Sequence, residues 1–182
     1  AKETEIIQTS GASESNNTAI KGILRASRHV GRHVITTQLE HASVSGCLTA
    51  MQEQGAQIDV VSIDRQGRVN LEELAELLRR DTVLVTISAV DSELGVVQPV
   101  REIARMLEAY PHCRLHVDAT QAVGKIPISF QYADTMSLAA HKFYGLNGVG
   151  LLLRRDDVGM EPLIHGGVSA SLYRSGTPPV GL

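Results

Sequence analysis

The chain has 182 residues, of which 43% are hydrophobic and 20% are charged, and its formal net charge is −3 at pH 7. This composition predicts one soluble globular domain, and the charge argues against nucleic acid or an anionic membrane as a partner. No apolar run approaches the roughly 18 residues of a transmembrane helix, and no targeting peptide is visible. The two cysteines, Cys47 and Cys113, fit no metal or disulfide pattern, which favours a reducing, cytoplasmic location.

Short apolar runs alternate with amphipathic stretches along the chain. Strands are predicted over residues 5–9, 33–39, 57–63, 82–90, 114–117, 134–140 and 149–153. Helices are predicted over residues 14–28 and 44–54, around Leu71 to Leu78, and between Pro99 and Pro111. Strands that alternate with helices predict right-handed βαβ units. The expected fold is therefore α/β, with three layers (αβα) around a mostly parallel sheet.

Polar side chains that could carry chemistry follow five of the predicted strands. In an open α/β sheet, ligands bind beyond the carboxyl ends of the strands, where side chains from neighbouring strands converge. A single polar residue at such a place is most often a helix cap or a turn former, so a structural role is the alternative. The residues concerned are Ser13, His41, Asp91, Asp118 with Gln121, and His141 with Lys142.

The turn from Ser10 to Ser13 precedes a predicted helix. Free amides and the helix dipole favour an anion there, so the turn is a candidate phosphate cradle, and an ordinary serine N-cap is the alternative. The turn lacks the glycine and lysine pattern of a P-loop and the glycine fingerprint of a dinucleotide site.

Lys142 and Asp118 together predict a carbonyl cofactor held as a Schiff base. Lys142 follows three apolar residues, and desolvation there would favour its neutral, reactive amine; a solvated turn lysine is the alternative. Asp118 could pair with a pyridinium nitrogen, and the ring of His41 could stack on the cofactor. His116 lies in mid-strand and is interpreted as a structural histidine with satisfied hydrogen bonds.

Several motifs occur in order along the chain, and they carry a resemblance. They are Ser10 to Asn17, Glu40-His41, Glu93 to Pro99, His116 to Gln121, Ala140 to Gly145, Gly166-Gly167 and Arg174 to Thr177. Together they resemble the cysteine desulfurases, which are pyridoxal-phosphate enzymes of the class V aminotransferase group with fold type I. The resemblance covers nearly all of the chain.

The resemblance implies roles for the cofactor-facing residues. Lys142 would carry the cofactor as a Schiff base. Asp118 would pair with the pyridine nitrogen, Gln121 would hydrogen-bond the ring oxygen, and His41 would stack on the ring. Asp91 occupies the position near the ring oxygen and the substrate carboxylate.

The resemblance also implies a phosphate site and an oligomeric state. The backbone of Ala12 and the side chains of Ser13 and His141 would hold the phosphate. Thr177 would reach the phosphate of a neighbouring subunit, so a homodimer is expected.

The implied reaction removes sulfur from L-cysteine, gives alanine and leaves a persulfide on the enzyme. A sulfur-acceptor protein would then receive the sulfur for iron–sulfur cluster assembly or thiolation. The alternatives are another class V aminotransferase or lyase, such as a selenocysteine lyase-like enzyme, and a non-catalytic scaffold that retains the fold.

The resemblance predicts how the chain divides. Residues 1–165 would form the large pyridoxal-phosphate domain, and residues 166–182 an extended loop that leads toward another domain. The chain begins at Ala1 and ends without a closing element, so we expect a fragment that lacks the family's N-terminal segment and small C-terminal domain. Neither Cys47 nor Cys113 matches the family's catalytic cysteine, so the fragment alone is expected to be inactive.

Three departures from the family pattern are visible. Asp91 stands where an asparagine is usual, and an acid there would repel a substrate carboxylate unless it were protonated. Ala139 replaces a common phosphate-binding serine, which removes about 1–3 kcal/mol of charged hydrogen bonding. The segment Gly166 to Ser169 lacks the usual third glycine, as expected of a divergent branch.

Overall fold

The computed structural model of the chain describes residues 1–166 and 171–176. The strands confirm the sequence prediction in number and order, and each lies within the expected stretch or extends it by one residue. They are β1 (Ile6–Thr9), β2 (His33–Thr37), β3 (Gln57–Val61), β4 (Thr82–Ser88), β5 (Arg114–Asp118), β6 (Thr135–Ala139) and β7 (Gly150–Arg154).

The α-helices also lie where the sequence predicted them, with shifts at their first turns. They are α1 (Ala12–Ala26), α2 (Ala42–Glu53), α3 (Leu71–Leu77) and α4 (Val100–Leu107). Helix α1 begins two residues earlier than expected because Gly11 serves as its N-cap. Helix α2 begins early because the side chain of His41 accepts a hydrogen bond from the Ser43 amide. Pro99 was expected in the first turn of α4 but is its N-cap.

The strands form one sheet in the order β1-β7-β6-β5-β4-β2-β3. The pairs from β3 through β6 are parallel, whereas β7 runs antiparallel to both β6 and β1. All seven residues of β4 are buried, as expected of a central strand that is covered on both faces. The predicted α/β fold with a mostly parallel sheet is therefore confirmed.

Two hydrophobic clusters, one on each face of the sheet, produce the three layers. On one face, Ile20 and Ile23 of α1 and Leu48 of α2 pack against strand residues such as Val34. On the other, Leu74 of α3 and Ile103 of α4 pack against strand residues of the opposite pleat, such as Ile35 and Val117. Successive residues of a strand point to opposite faces, so one strand serves both clusters. Within the described residues, no helix is long and apolar enough to cross a membrane.

The antiparallel strand β7 begins against the turn that precedes α1. Gly150 pairs with Thr9 of β1 and with Ala139 of β6. A methyl group on Gly150 would lie 2.4 Å from the Cα of Gly11. The backbone of the Ser10–Ser13 turn therefore rests directly on this glycine, and a side chain at residue 150 would displace the turn.

We expect Gly150→Ala to destabilise the protein by about 1–3 kcal/mol, because the added methyl meets backbone that cannot move aside easily. Gly46→Ala, in the middle of α2, is the matched control. Its methyl group meets nothing within 4 Å, and alanine in a helix gains about 0.5–1 kcal/mol over glycine. Urea denaturation of both variants measures the difference, and equal stabilities would contradict this account of the turn.

Candidate active site

A cavity of about 580 Å³ lies where the parallel strands β4, β5 and β6 end, beside the first turn of α1. Its wall contains seven of the residues that the sequence singled out. They are Ala12, Ser13, His41, Asp118, Gln121, His141 and Lys142. Residues that are far apart along the chain thus surround one space, as the rule for the carboxyl edge of a parallel sheet predicts.

Two other predicted residues are not on this wall. Thr177 lies outside the described residues. The cavity is lined by Val90 and Ser92 but not by Asp91. The carboxylate of Asp91 accepts hydrogen bonds from the amides of Glu93 (3.1 Å) and Leu94 (2.5 Å). The structure therefore gives Asp91 partners inside its own turn, a role that its place in the sequence did not reveal.

A wider cavity of about 730 Å³ runs along the start of α4, and its lining contains none of the predicted site residues. It is lined largely by apolar groups such as Val97, Pro99 and Ile128. By volume alone, this wider cavity would be the stronger candidate for the active site. The residue chemistry favours the smaller cavity, where charged and polar groups converge from several strands.

Asp118 is the buried carboxylate of the site. It is the last residue of β5 and only 5% exposed. Its Oδ2 accepts a hydrogen bond from the Asn16 side-chain amide at 2.8 Å, and its Oδ1 accepts one from the Thr120 amide at 3.0 Å. Hydrogen bonds to both oxygens stabilise the ionised carboxylate, which could therefore hold a cation or a protonated nitrogen.

His116 lies two residues before Asp118 and is fully buried. Its Nδ1 is 2.8 Å from Thr135 Oγ1 and its Nε2 is 3.0 Å from Asn16 Oδ1. Burial lowers the pKa of His116 to about 4, although the nearby charge of Asp118 raises it. The ring is therefore neutral at physiological pH, and its interpretation as a hydrogen-bonded structural histidine is confirmed.

Lys142 lies on the 3₁₀ turn Ala140–Phe143 that follows β6. It faces the same cavity as Asp118, but its side chain is exposed. The expectation of a desolvated lysine is therefore wrong for this structure. The apolar residues before Lys142 belong to the buried end of β6, and the chain leaves the sheet before it reaches the lysine. Among the described residues, no hydrogen bond or ion pair engages its amine.

His41 stands on another wall of the cavity as the N-cap of α2. Its Nδ1 accepts a hydrogen bond from the Ser43 amide at 3.1 Å and lies 2.9 Å from Ser43 Oγ. The ring itself is exposed. The helix cap thus holds the ring by Nδ1, and among the described residues no hydrogen bond engages Nε2.

The Ser10–Ser13 turn presents the amino end of a 15-residue helix to the cavity. Gly11 is the N-cap, and no side chain caps the helix within the described ranges 1–166 and 171–176. The alternative of an ordinary serine N-cap is therefore wrong. Uncapped first-turn amides and the helix dipole make this turn suitable for an anion.

An ion pair holds the 171–176 segment against the same turn. The Nε of Arg174 donates to Glu14 Oε1 at 2.7 Å, and both side chains are only 12% exposed. The amide and hydroxyl of Ser10 donate to Glu14 Oε2. Burial alone would raise the pKa of Glu14, but these hydrogen bonds outweigh it and leave the pKa below its ordinary value. Glu14 is thus ionised, and the charge of Arg174 balances its negative charge. An anion at the turn is therefore repelled less than it would be by an unpaired carboxylate.

Glu40, next to His41, is a second, half-buried carboxyl group near the site. It accepts hydrogen bonds from the Thr37 hydroxyl at 2.8 Å and from the amide and hydroxyl of Ser88. Burial, together with the charge of Asp118, raises its pKa to about 7 despite these hydrogen bonds. Its contacts join the ends of β2 and β4, and so fix the position of His41.

Sequence reasoning missed several polar residues on the wall. They are Ser43, Ser88 and Thr120. Thr120 could have been found because it lies between Asp118 and Gln121 in one motif. Its buried Oγ1 has no hydrogen-bond partner among the described residues. Buried hydroxyls are almost always paired, so this one fits a site that receives a polar ligand.

The chain matches the family model described as aminotransferase class-V over residues 1–180. It is 40% identical over 182 residues to the cysteine desulfurase IscS of Dictyoglomus turgidum, a match that covers 99% of this chain and 46% of that protein. Two solved structures are similar. A NifS-like protein superimposes with a TM-score of 0.92 at 40% identity, covering 96% of this chain and 48% of that one.

The second structure is that of SspA in complex with cysteine, and it superimposes with a TM-score of 0.91 at 36% identity. That match covers 98% of this chain and 52% of the other. The chain thus spans about half the length of the relatives that it matches. The resemblance that the motifs carried is confirmed over the whole fold, and the chain belongs to the aminotransferase class-V family.

Proposed function

We propose that this chain forms the pyridoxal-phosphate-binding part of a cysteine desulfurase-like enzyme. The observation that carries the proposal is that Asp118 and Lys142 face one cavity beside the uncapped amino end of α1. The aminotransferase class-V and cysteine desulfurase families depend on pyridoxal phosphate. Their cofactor needs an amine, an acid and a phosphate site, and this cavity has a candidate for each.

The residues present fit that cofactor. A cavity of about 580 Å³ lies within the range of small-molecule sites, roughly 300–1,000 Å³. Among the described residues, the buried hydroxyl of Thr120 has no hydrogen-bond partner, and no side chain caps α1. Both places can therefore hydrogen-bond polar groups of a cofactor. Ala139 contributes only a methyl group where a serine is common, so the phosphate would have one hydrogen bond fewer.

The cofactor, when bound, supplies a carbonyl for amines and a ring that accepts electrons. Lys142 would provide the amine that anchors it. Asp118, whose carboxylate accepts hydrogen bonds from the amides of Asn16 and Thr120, would pair with the ring nitrogen. His41 would cover one face of the ring, and Gln121 would be the partner of the ring oxygen.

The phosphate is assigned to the first turn of α1. Ala12, Ser13 and His141 line the cavity, and the proposal gives the phosphate to the Ala12 amide and to the side chains of Ser13 and His141. A helix amino terminus offers both free N–H groups and a favourable dipole to a phosphate. In our proposal, Thr177 of a second copy completes the site, so the active form is a homodimer.

Sulfur removal requires a thiolate that this chain does not supply at the site. Burial raises the pKa of Cys47 to about 11 and that of Cys113 to about 12. Both thiols lie in the hydrophobic clusters, and the protonated thiol is a poor nucleophile. The proposal therefore places the nucleophilic cysteine outside residues 1–182.

The remaining parts of the proposal concern the whole protein. In our proposal, residues 1–165 form the cofactor domain, and part of the predicted loop over residues 166–182 lies outside the described residues. The enzyme acts in the cytoplasm and passes its persulfide sulfur to an acceptor protein. In the reaction, the carbon–sulfur bond of L-cysteine breaks, the sulfur joins the enzyme thiol, and alanine leaves.

The direct test uses the full-length protein with pyridoxal phosphate, L-cysteine and dithiothreitol, which releases the persulfide as sulfide. We expect alanine and sulfide to form in equal amounts. Alanine formed from selenocysteine but not from cysteine would favour the lyase alternative. Amino-group transfer to a keto acid would favour an aminotransferase, and failure to take up the cofactor would favour the scaffold.

A further inference from the structure

The buried amide of Asn16 lies behind the site and touches neither the cavity nor the solvent. We infer that Asn16 is a positioning residue that links Asp118 to His41 through one chain of hydrogen bonds. It thereby donates a hydrogen bond to the carboxylate of the first and helps to orient the ring of the second. The inference rests on the proposed function, because it concerns the two groups that would contact the cofactor ring.

The Asn16 side chain hydrogen-bonds through both of its N–H donors and through its oxygen. Its Nδ2 donates to Asp118 Oδ2 at 2.8 Å and to Ser43 Oγ at 2.9 Å. Its Oδ1 lies 3.0 Å from His116 Nε2. The orientation of the amide follows from chemistry, because an ionised carboxylate can only accept and so requires the NH₂ group on its side. His116 must therefore donate from Nε2 to Asn16 Oδ1.

The donors and acceptors between Ser43 and His41 are assigned in the same way. The Ser43 backbone amide can only donate, so His41 Nδ1, which it contacts at 3.1 Å, must be an acceptor. The Ser43 hydroxyl accepts from Asn16 and lies 2.9 Å from the same Nδ1, so it can only donate there and shares the single lone pair of Nδ1 with the backbone amide. A neutral His41 then carries its hydrogen on Nε2, the nitrogen that is free to meet a ligand.

Removing the Asn16 amide has two separable effects. Asp118 loses one of its two donors, so its carboxylate becomes more basic and the charge shared with the ring nitrogen changes. Ser43 also loses the donor that sets the direction of its hydroxyl, so the hydroxyl no longer helps the Ser43 backbone amide to hold the His41 ring. Ser43→Ala removes only the second effect, since the contact between Asn16 and Asp118 remains.

The test uses the full-length protein loaded with pyridoxal phosphate, and it follows the visible absorbance of the bound cofactor as a function of pH. The variants are Asn16→Ala and Ser43→Ala. Thr18→Ala is the control, because Thr18 is buried on the same helix and its side-chain hydroxyl, among the described residues, hydrogen-bonds to the Glu14 carbonyl alone. We expect Asn16→Ala to move the midpoint of the absorbance change by about one pH unit. Ser43→Ala should move it by less than half as much, and Thr18→Ala should not move it.

Asn16→Asp provides a second measurement if Asn16→Ala does not fold. It places a second carboxylate against Asp118, so the pair should share a proton and cofactor affinity should fall at least about tenfold between roughly pH 6 and 9. An absorbance midpoint in Asn16→Ala equal to that of Thr18→Ala, or a flat affinity profile in Asn16→Asp, would overturn the inference while leaving the proposed function intact. If the unmodified protein takes up no cofactor, the proposed function itself fails.

Discussion

Replacing Lys142 with alanine is expected to abolish covalent attachment of pyridoxal phosphate and to lower turnover at least about 1,000-fold. Lys142 is the lysine on the wall of the described cavity, and no other described lysine shares that wall. Its side chain is exposed, and no described residue hydrogen-bonds it or pairs with it. The fold should therefore be unaffected, and the loss should be purely chemical.

The measurement is reduction of the loaded protein with borohydride, followed by mass spectrometry of the peptide that contains residue 142. The unmodified protein should carry the mass of the reduced cofactor on this peptide, and Lys142→Ala should not. Lys21→Ala, on the outer part of α1, is the matched control and should retain the label. A label that persists at another lysine in Lys142→Ala would show that the anchoring amine has been misassigned.

Replacing Asp118 with asparagine should lower turnover about 100- to 1,000-fold, the range found when one preorganised electrostatic contact is removed. The amide has nearly the same shape but carries no charge, so it cannot hold a proton on the ring nitrogen. It also has a single acceptor oxygen for the two donors, Asn16 Nδ2 and the Thr120 amide, that the carboxylate now serves. We therefore expect an additional loss of stability of about 1–2 kcal/mol.

Asp64→Asn separates the effect of the site from that of the substitution. Asp64 also accepts hydrogen bonds from two backbone amides, those of Gln66 and Arg68, but it lies in an exposed turn away from the cavity. This variant should retain full turnover. The measurement is the steady-state turnover of both variants, together with their cofactor occupancy from absorbance. It shows whether the loss of turnover is specific to residue 118. Full turnover by cofactor-loaded Asp118→Asn would contradict the role given to this carboxylate.

The local pattern of the sequence was enough to predict the elements and the edge of the sheet at which the site lies. Strand β4 shows why, since it contains the apolar run from Val83 to Val85 and is followed by a polar loop. The period of a strand and the turn residues that end it are local properties. Because parallel strands place their carboxyl ends on one edge, Asp118 and Lys142 were expected together without any knowledge of the strand order.

Local patterns along the chain were therefore sufficient to predict the α/β alternation and the residues that meet at the cavity. The folded structure was needed to establish that β7 is antiparallel, that Lys142 is exposed and that Asp91 accepts hydrogen bonds within its own turn. It alone revealed Asn16, whose contact with Asp118 joins residues 102 positions apart. The physical reason is that pairing between strands, burial and side-chain hydrogen bonds depend on neighbours that are distant along the chain, and no local pattern encodes them.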